Sequence, residues 1–530
     1  MRRFGTQGRV YPDRHYVVPR AEEIADFIAR VKDGRYIVLF APRQTGKTTF
    51  FRFALEALTT EDPTYFPIQL DFQIMRNSSP PVFYDRFSQL IRREIEYVLQ
   101  NRKVELSENV TQFLEDTQIS DHYSMTDYFE QLAVILGNQR VVLLIDEFDG
   151  IPQTVVSDFL YALRYIYLDE KLQCPQSVGI VGVKSISQLN YDRSVSPFNI
   201  QDEFRLPNFT LQQVQELLSQ YTDEVGQDFA PEVIASIHKQ TAGQPVLVNR
   251  FAQILTEEMD IPKTETITPI HFSEAHMQLL RGRNTNIQHL TTNVRRDPRF
   301  ESMLMKIMAR EEGVDFNLDD DIISELATYG VIREAPDGRC EIVNPIYLYR
   351  IMRTFKPTFN GLENEYLSEE KDECFLDYLT PKGQIDMVSL LDNFGDFIAR
   401  VGFRILQVPD KPQEYVGQHL LYAYLEQFIR SVGGNMYLEV QTGRGRMDML
   451  LIHNQRKYIV ETKVWEGSNR YAAGKKQLTA YMELEGTTEG YYVVFDHREN
   501  PEPKVETETV DGLTIRSYVI PVIQARPSSV

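Results

Sequence analysis

Tyr36-Ile37-Val38-Leu39-Phe40-Ala41-Pro42-Arg43-Gln44-Thr45-Gly46-Lys47-Thr48 decides the fold of the first part of the chain. Tyr36–Phe40 reads as a buried strand and Lys47–Leu58 as a helix, so Ala41–Thr48 turns from one into the other. Such a turn wraps backbone N–H groups around a phosphate at a helix N-terminus, where the dipole favours anions. Gly46 lets the backbone come close, Lys47 supplies a cation for the β- and γ-oxygens, and Thr48 offers a hydroxyl to Mg²⁺. The usual pattern opens on Gly. Ala41 stands there instead, at little cost in an ordinary backbone region.

Val141-Val142-Leu143-Leu144-Ile145-Asp146-Glu147 supplies the matching element, a buried strand ending in two acids. Asp146 is placed to hold Mg²⁺ through water, and Glu147 to polarise an attacking water as general base. The bland alternative is a pair of acids capping a surface strand, and it loses weight because both elements occur together. Asp149 reads as a turn residue before Gly150. Around these, strands at Tyr65–Phe72 and Val178–Val183 alternate with helices at Val82–Leu99 and Thr154–Leu168. That alternation predicts a parallel sheet covered on both faces. From about Thr210 to Met259 the pattern is helical only.

Residues 1–290 resemble the AAA-like ATPase family of P-loop NTPases, through Ala41–Thr48, Leu144–Glu147, Ser196-Pro197-Phe198-Asn199-Ile200 and Gly243-Gln244-Pro245. The resemblance implies ATP and Mg²⁺ as ligands. Pro42, Arg43, Gln44, Thr45, Gly46, Lys47, Thr48 and Thr49 would bind the nucleotide, Thr48 and Asp146 the metal, and Glu147 would be catalytic. It places the Gly-x-Pro turn near the base and implies a homo-oligomer in which a neighbour lends an arginine. Lys184 or Ser185 falls in the sensor region. Arg193, Arg281, Arg283 and Arg295 are finger candidates, each more simply read as a solvated surface residue.

A second chemistry lies downstream. Gly443-Arg444-Gly445-Arg446-Met447-Asp448-Met449-Leu450-Leu451-Ile452 is followed by Tyr458-Ile459-Val460-Glu461-Thr462-Lys463-Val464. A hairpin of these strands sets Asp448 on one and Glu461 on the other, with Glu461 and Lys463 on one face by the two-residue period. Converging carboxylates suit Mg²⁺, which would stabilise charge on a phosphodiester oxygen and acidify a water. Lys463 would orient that water or stabilise the phosphorane. A solvent-facing strand with ordinary Glu/Lys alternation is the alternative, and the inward-reading Val460 and Val464 count against it. Glu414 and Gln418 stand at i and i+4 on a helix with the stripe Leu421, Leu425 and Phe428. Gln477 and Tyr481 share a face of a later helix.

This set resembles the PD-(D/E)xK nuclease superfamily, in the branch fused to AAA-like ATPases, over about residues 357–500. The resemblance implies that Asp448 and Glu461 are metal ligands and that Asp448, Glu461 and Lys463 are catalytic. Glu414 would be an accessory acid, and Gln477 and Tyr481 would contact DNA or position the lysine. The implied partner is nucleic acid, with DNA first.

In residues 297–355, Met303, Leu304, Ile307 and Met308 make one helical face and Ile322, Ile323 and Leu326 another. The turn Pro336-Asp337-Gly338 then opens a hairpin ending in Cys340–Val343. The helix Asp319–Tyr329 could read DNA in the major groove, but it carries Asp319, Asp320, Asp321 and Glu325, which repel phosphates, so packing or oligomerisation is its expected role. Arg281, Arg283, Arg295, Arg296 and Arg299 form a basic stretch, and Arg444, Arg446, Arg470, Lys475 and Lys476 could grip phosphate.

The fold class expected is α/β multidomain, with a P-loop NTPase parallel sheet, helical lid, winged-helix-like unit and a C-terminal restriction-endonuclease-like α/β domain. The expected boundaries are 1–209 for the ATPase core, 210–290 for the lid, 297–355 for the winged-helix-like unit, 357–412 for a connector and 413–530 for the nuclease-like domain. Over 530 residues, 56 Lys+Arg against 76 Asp+Glu give a net charge of −20, which disfavours a protein that coats or tracks nucleic acid through a global positive field. With 3 Cys and no C-x-x-C, neither a disulfide framework nor a thiolate zinc site is expected, and the nine His show no ligand spacing. Apolar runs fall short of the roughly 18 residues that span a membrane, so the expectation is a cytoplasmic chain with no membrane partner. The whole reads as an ATP-hydrolysing protein with a Mg²⁺-dependent nuclease domain regulated by nucleotide state, in a setting such as defence against foreign DNA. The alternative is a nucleotide-gated sensor or scaffold whose nuclease-like domain binds nucleic acid without cutting.

Overall fold

A computed structural model describes the chain apart from residues 7, 42–44, 105–106, 170–173, 183–200, 282–296, 310–312, 355–377, 399–412, 443–444, 499 and 523–530. It forms two compact units. The first comprises Met1–Glu224, Gln244–Asn249 and Thr328–Gly330. The second comprises Val225–Gly243, Arg250–Ala327 and Val331–Val530.

In the first unit, β1 (Tyr36–Phe40), β2 (Tyr65–Asp71), β3 (Arg140–Asp146), β4 (Ser177–Gly182) and β5 (Gln201–Glu203) lie in the order β2-β3-β4-β1-β5, all parallel. The strands read as continuous apolar runs because both sheet faces are covered. Val141, Leu143 and Ile145 enter one core with Phe72, Phe83, Phe87 and Phe159. Val142 and Leu144 enter another with Phe27, Phe50 and Phe51. Helices α1 (Ala21–Lys32) and α2 (Lys47–Glu61) supply the second core. The first core takes α3 (Pro80–Asn101), α4 (Glu108–Asp116), α5 (His122–Leu136) and α6 (Gln153–Leu168). The sequence reading did not foresee α4 and α5, although Ser107 caps the first and Asp121 forms a capping box with Ser124 on the second. α7 (Leu211–Val225) completes this unit.

The second unit holds α8 (Pro231–Thr241) and α9 (Pro269–Arg281). The expected lid, 210–290, is therefore divided between the units. The reason is tertiary: Ser273 of α9 shares a hydrogen bond with the Tyr437 hydroxyl at 2.9 Å, and Lys239 of α8 pairs with Glu485 at 3.5 Å. Next come α10 (Pro298–Ala309), α11 (Asp321–Thr328) and an antiparallel hairpin of β6 (Ile332–Glu334) and β7 (Cys340–Ile342). α11 is shorter than Asp319–Tyr329, because the Asp320 carboxylate accepts the N–H groups of Ile322 and Ile323 at 2.8 and 3.0 Å and so caps it. α12 (Pro345–Thr354) follows.

The expected connector, 357–412, carries a helix in its described part. α13 (Met387–Phe397) buries Leu390, Leu391 and Phe394, and Asn393 donates to the Tyr424 hydroxyl at 2.8 Å. The Ile385 N–H donates to the Tyr458 hydroxyl at 3.0 Å. An amphipathic helix must bury its apolar stripe, and this one does so on the C-terminal fold. That fold consists of α14 (Gln413–Ser431), β8 (Asn435–Thr442), β9 (Gly445–His453), β10 (Arg456–Val464), α15 (Ser468–Glu485), β11 (Glu489–Asp496), β12 (Lys504–Val510) and β13 (Leu513–Pro521). Its sheet runs β8-β9-β10-β11-β13-β12, antiparallel from β8 to β10 and parallel from β10 to β11 across α15. β11 and β13 are parallel, and β12 returns antiparallel through Asp511-Gly512, both at positive φ.

Candidate functional site

Gly46 caps α2 at φ +89, a conformation only glycine adopts without strain. Lys47, buried at the first helical position, folds back so that Nζ donates to the Ala41 carbonyl at 2.6 Å. The Thr48 hydroxyl donates to Asp146 Oδ2 at 2.7 Å, and Asp146 Oδ1 accepts the N–H of Glu147 at 2.9 Å. A hydroxyl and a carboxylate meeting at a strand end fit a hard divalent cation. Glu147 sits at φ +50 and turns the chain sharply into Phe148–Gly150. Gly150 lies flat on the end of β2, where a Cβ would come 1.9 Å from the Phe72 oxygen. Asp149 belongs to that turn, and its carboxylate approaches Gly182 at the end of β4.

Thr45, Gly46 and Thr49 line a cavity of about 160 Å³ together with Tyr16, Arg20, Phe209 and Pro245. Pro245, the last residue of the Gly-x-Pro motif, is thus beside the phosphate loop. Arg20 escaped the sequence reading. It holds φ +50, lies over the Phe209 ring at 4.7 Å and donates to the Pro207 carbonyl at 2.9 Å. Burial pulls its guanidinium down to about 10. Pro42, Arg43 and Gln44 lie outside the described residues, as do Lys184, Ser185, Arg193, the Ser196–Ile200 stretch, Arg283 and Arg295. Arg281 is the last residue of α9.

In the second unit the β9–β10 ladder runs from His453↔Arg456 to Met449↔Val460. There the acceptors change from carbonyls to carboxylates. Asp448 N–H donates to Glu461 Oε2 at 3.2 Å, and Thr462 N–H donates to Asp448 Oδ2 at 2.8 Å. The Thr462 hydroxyl donates to the same oxygen at 2.7 Å. Lys463 Nζ stands 3.1 Å from Glu461 Oε1 and 4.0 Å from Asp448 Oδ2. Glu461 is 0% exposed and Asp448 2%, so the strand is not the solvent-facing one of the alternative reading. Two carboxylates and an ammonium meeting on adjacent strands bring hard oxygen donors together, the ligand type that a divalent cation takes. Among the described residues no group of three or more His, Cys, Asp or Glu gathers, so such a cation would draw on Asp448 and Glu461 with other oxygens.

Tyr492, also unforeseen, pairs with Glu461 in the parallel register, and its hydroxyl lies against Gly474 of α15. Burial first, then the nearby Glu461, raises this phenol above its ordinary range despite Lys463, so it remains a proton donor. Gln477 Nε2 donates to the Tyr481 hydroxyl at 2.6 Å, as i and i+4 spacing allows. Glu414 is on α14, with its side chain outside the described part, and Gln418 is buried on the same helix. The expected basic surface is weaker than its residues suggest. Lys475 pairs with Glu506 and Glu508 at 3.2 and 3.1 Å, and Arg470 pairs with Glu466. Arg444 and the Arg446 side chain lie outside the described part.

A family model described as an AAA-like domain matches residues 7–351. The chain belongs to the AAA-like domain family. Its first unit, with the phosphate loop between β1 and α2, is an AAA-like P-loop ATPase domain. A second model, a domain of unknown function (DUF8371), matches residues 387–499. The AAA-like chain is 23% identical over 252 residues, 46% of its length, to the uncharacterized WD repeat-containing protein slr0143 of Synechocystis. It spans only 20% of that relative. It is similar to the Walker-type ATPase PABY2304 of Pyrococcus abyssi at 17% identity and a TM-score of 0.47, covering 66% of this chain and 99% of the other. For Cdc6p of Pyrobaculum aerophilum the values are 13% and 0.32, over 64% and 95%. For the RuvB Holliday junction branch migration motor of Thermotoga maritima they are 17% and 0.32, over 64% and 96%. No helix among the described residues of this AAA-like protein is long and apolar enough to cross a membrane.

Proposed function

We propose that the first unit binds and hydrolyses ATP with Mg²⁺, and that the second unit is a metal-dependent phosphodiesterase acting on nucleic acid under control of the nucleotide state. For the ATPase half, Lys47 exchanges the Ala41 carbonyl for phosphate oxygens. Thr48 and Asp146 hold the metal, and Glu147 takes a proton from water. The cavity beside Thr45, Gly46 and Pro245 receives the nucleoside.

The observation that carries the nuclease half is the meeting of Asp448, Glu461 and Lys463 where the β9–β10 ladder gives way to carboxylate acceptors. The order α14, three antiparallel strands, crossover helix and parallel strand sets Asp448 and Glu461 on neighbouring strands of one sheet and supports the same reading. Asp448 and Glu461 would hold a divalent cation, which when bound stabilises charge on a phosphodiester oxygen and acidifies water. Lys463 orients the attacking water and meets the negative charge that grows on the phosphoryl oxygens. Gln477 and Tyr481, bonded to each other, are offered to the nucleic acid. DNA as substrate, assembly of copies around the nucleotide, a cytoplasmic location and a role in defence against foreign DNA belong to this proposal. Plasmid nicking by wild type and Lys463→Ala, beside ATP turnover by wild type and Lys47→Ala, tests the two halves separately.

A further inference from the structure

We infer that Thr462 is a positioning residue that sets the metal preference of the second unit's centre. The inference rests on the reading of Asp448 and Glu461 as ligands. The Glu-x-Lys pattern leaves its middle residue without a task, and here that residue makes two of the bonds that hold the centre together.

Thr462 gives two donors to one oxygen, its N–H at 2.8 Å and its hydroxyl at 2.7 Å, both to Asp448 Oδ2. Both residues are almost wholly buried, so neither bond is exchanged cheaply for water. A carboxylate anchored twice at one oxygen cannot turn about its own axis without breaking both bonds. Such an anchor favours approach of a cation at one oxygen over a symmetrical grip by both. That distinction separates metals. Mg²⁺ demands a near-octahedral shell at short distance, whereas Ca²⁺ accepts bidentate carboxylates in looser geometry. The β-branched side chain of threonine is stiff at χ1, so the hydroxyl is held toward Asp448. Valine would copy the shape without the donor, and serine the donor without the methyl.

The test is calorimetric titration of the full chain, without nucleotide, with Mg²⁺, Mn²⁺ and Ca²⁺. Wild type is compared with Thr462→Val, Thr462→Ser and Asp448→Asn, the last showing which heat belongs to this centre. Thr462→Val should weaken Mg²⁺ and Mn²⁺ by about 10-fold or more, as loss of a partner behind a ligand typically does, while Ca²⁺ weakens less. Thr462→Ser should stay near wild type. If valine fails to fold, Thr462→Ala carries the same prediction. Thr462→Val retaining the wild-type ratio of Mg²⁺ to Ca²⁺ affinity, while Asp448→Asn abolishes the heat, would overturn the inference and spare the ligand reading. Wild type and Asp448→Asn binding alike would overturn both.

Discussion

Thr48 reaches Asp146 at 2.7 Å although the strands leading to them are not neighbours, because β4 lies between β1 and β3. The contact lies at the carboxyl ends of the strands, the edge where ligands bind in open parallel sheets. Lys47 opens the helix beside it, with Nζ on the Ala41 carbonyl. Replacing Lys47 by Ala removes a charge-assisted contact of about 1.5–3 kcal/mol, so ATP affinity should fall on the order of 10- to 100-fold. Thr48→Ala should chiefly weaken the Mg²⁺ dependence. Fluorescent-nucleotide titration with and without Mg²⁺ separates the two outcomes.

Gly150 is expected to be intolerant. A Cβ would meet the Phe72 oxygen at 1.9 Å, and backbone cannot move aside as a side-chain tip can. Gly150→Ala should destabilise by about 1–3 kcal/mol, as overpacking does. Gly395 is the contrast. It lies inside α13 with open space around its Cβ position, so Gly395→Ala should be neutral or stabilise by up to about 1 kcal/mol. Thermal unfolding should come at a lower temperature for Gly150→Ala and at an unchanged or higher one for Gly395→Ala.

His276 gives the second unit an acid-sensitive core. It is stacked with Phe251 and Phe272 at 5.9 Å and on the Tyr437 ring at 4.9 Å, and burial lowers its imidazole to about 3. Tyr437, pushed up to about 12 chiefly by burial, stays neutral beside it. Between about pH 6.5 and 3 the unfolded chain binds a proton that the folded chain refuses. Stability from this group is therefore complete above pH 6.5 and drains away as the pH falls. His276→Phe should flatten that part of the stability–pH curve in denaturant melts. An unchanged slope would show that other groups govern it.

Much of this architecture was legible because burial on both faces writes itself as unbroken apolar runs. Tyr36–Phe40 matches its reading residue for residue, Val141–Ile145 lengthens by one residue at each end to Arg140–Asp146, and Val178–Val183 begins one residue earlier at Ser177, with Val183 itself outside the described residues. Gln477 with Tyr481 was legible from helical spacing alone. Which surfaces the helices at 269–281 and 387–397 cover was not, because that depends on tertiary partners such as Tyr437 and Tyr458, far away in sequence. Tyr492 reaches Glu461 only through parallel pairing across a crossover, and Thr462 matters only through the place where the ladder ends. Neither relationship has a local pattern. Lys475 shows the converse, a cation that looks available in sequence and is taken by Glu506 and Glu508 in the fold.

Nicking of supercoiled plasmid in Mg²⁺ or Mn²⁺, followed for wild type, Glu461→Gln and Lys463→Ala, tests the central claim most directly. Wild type should cut only with metal, and both variants should be slower by at least about 100-fold, the scale for loss of a charge-stabilising or proton-handling group. Cutting by all three at one rate, or by wild type in the presence of a chelator, would contradict it.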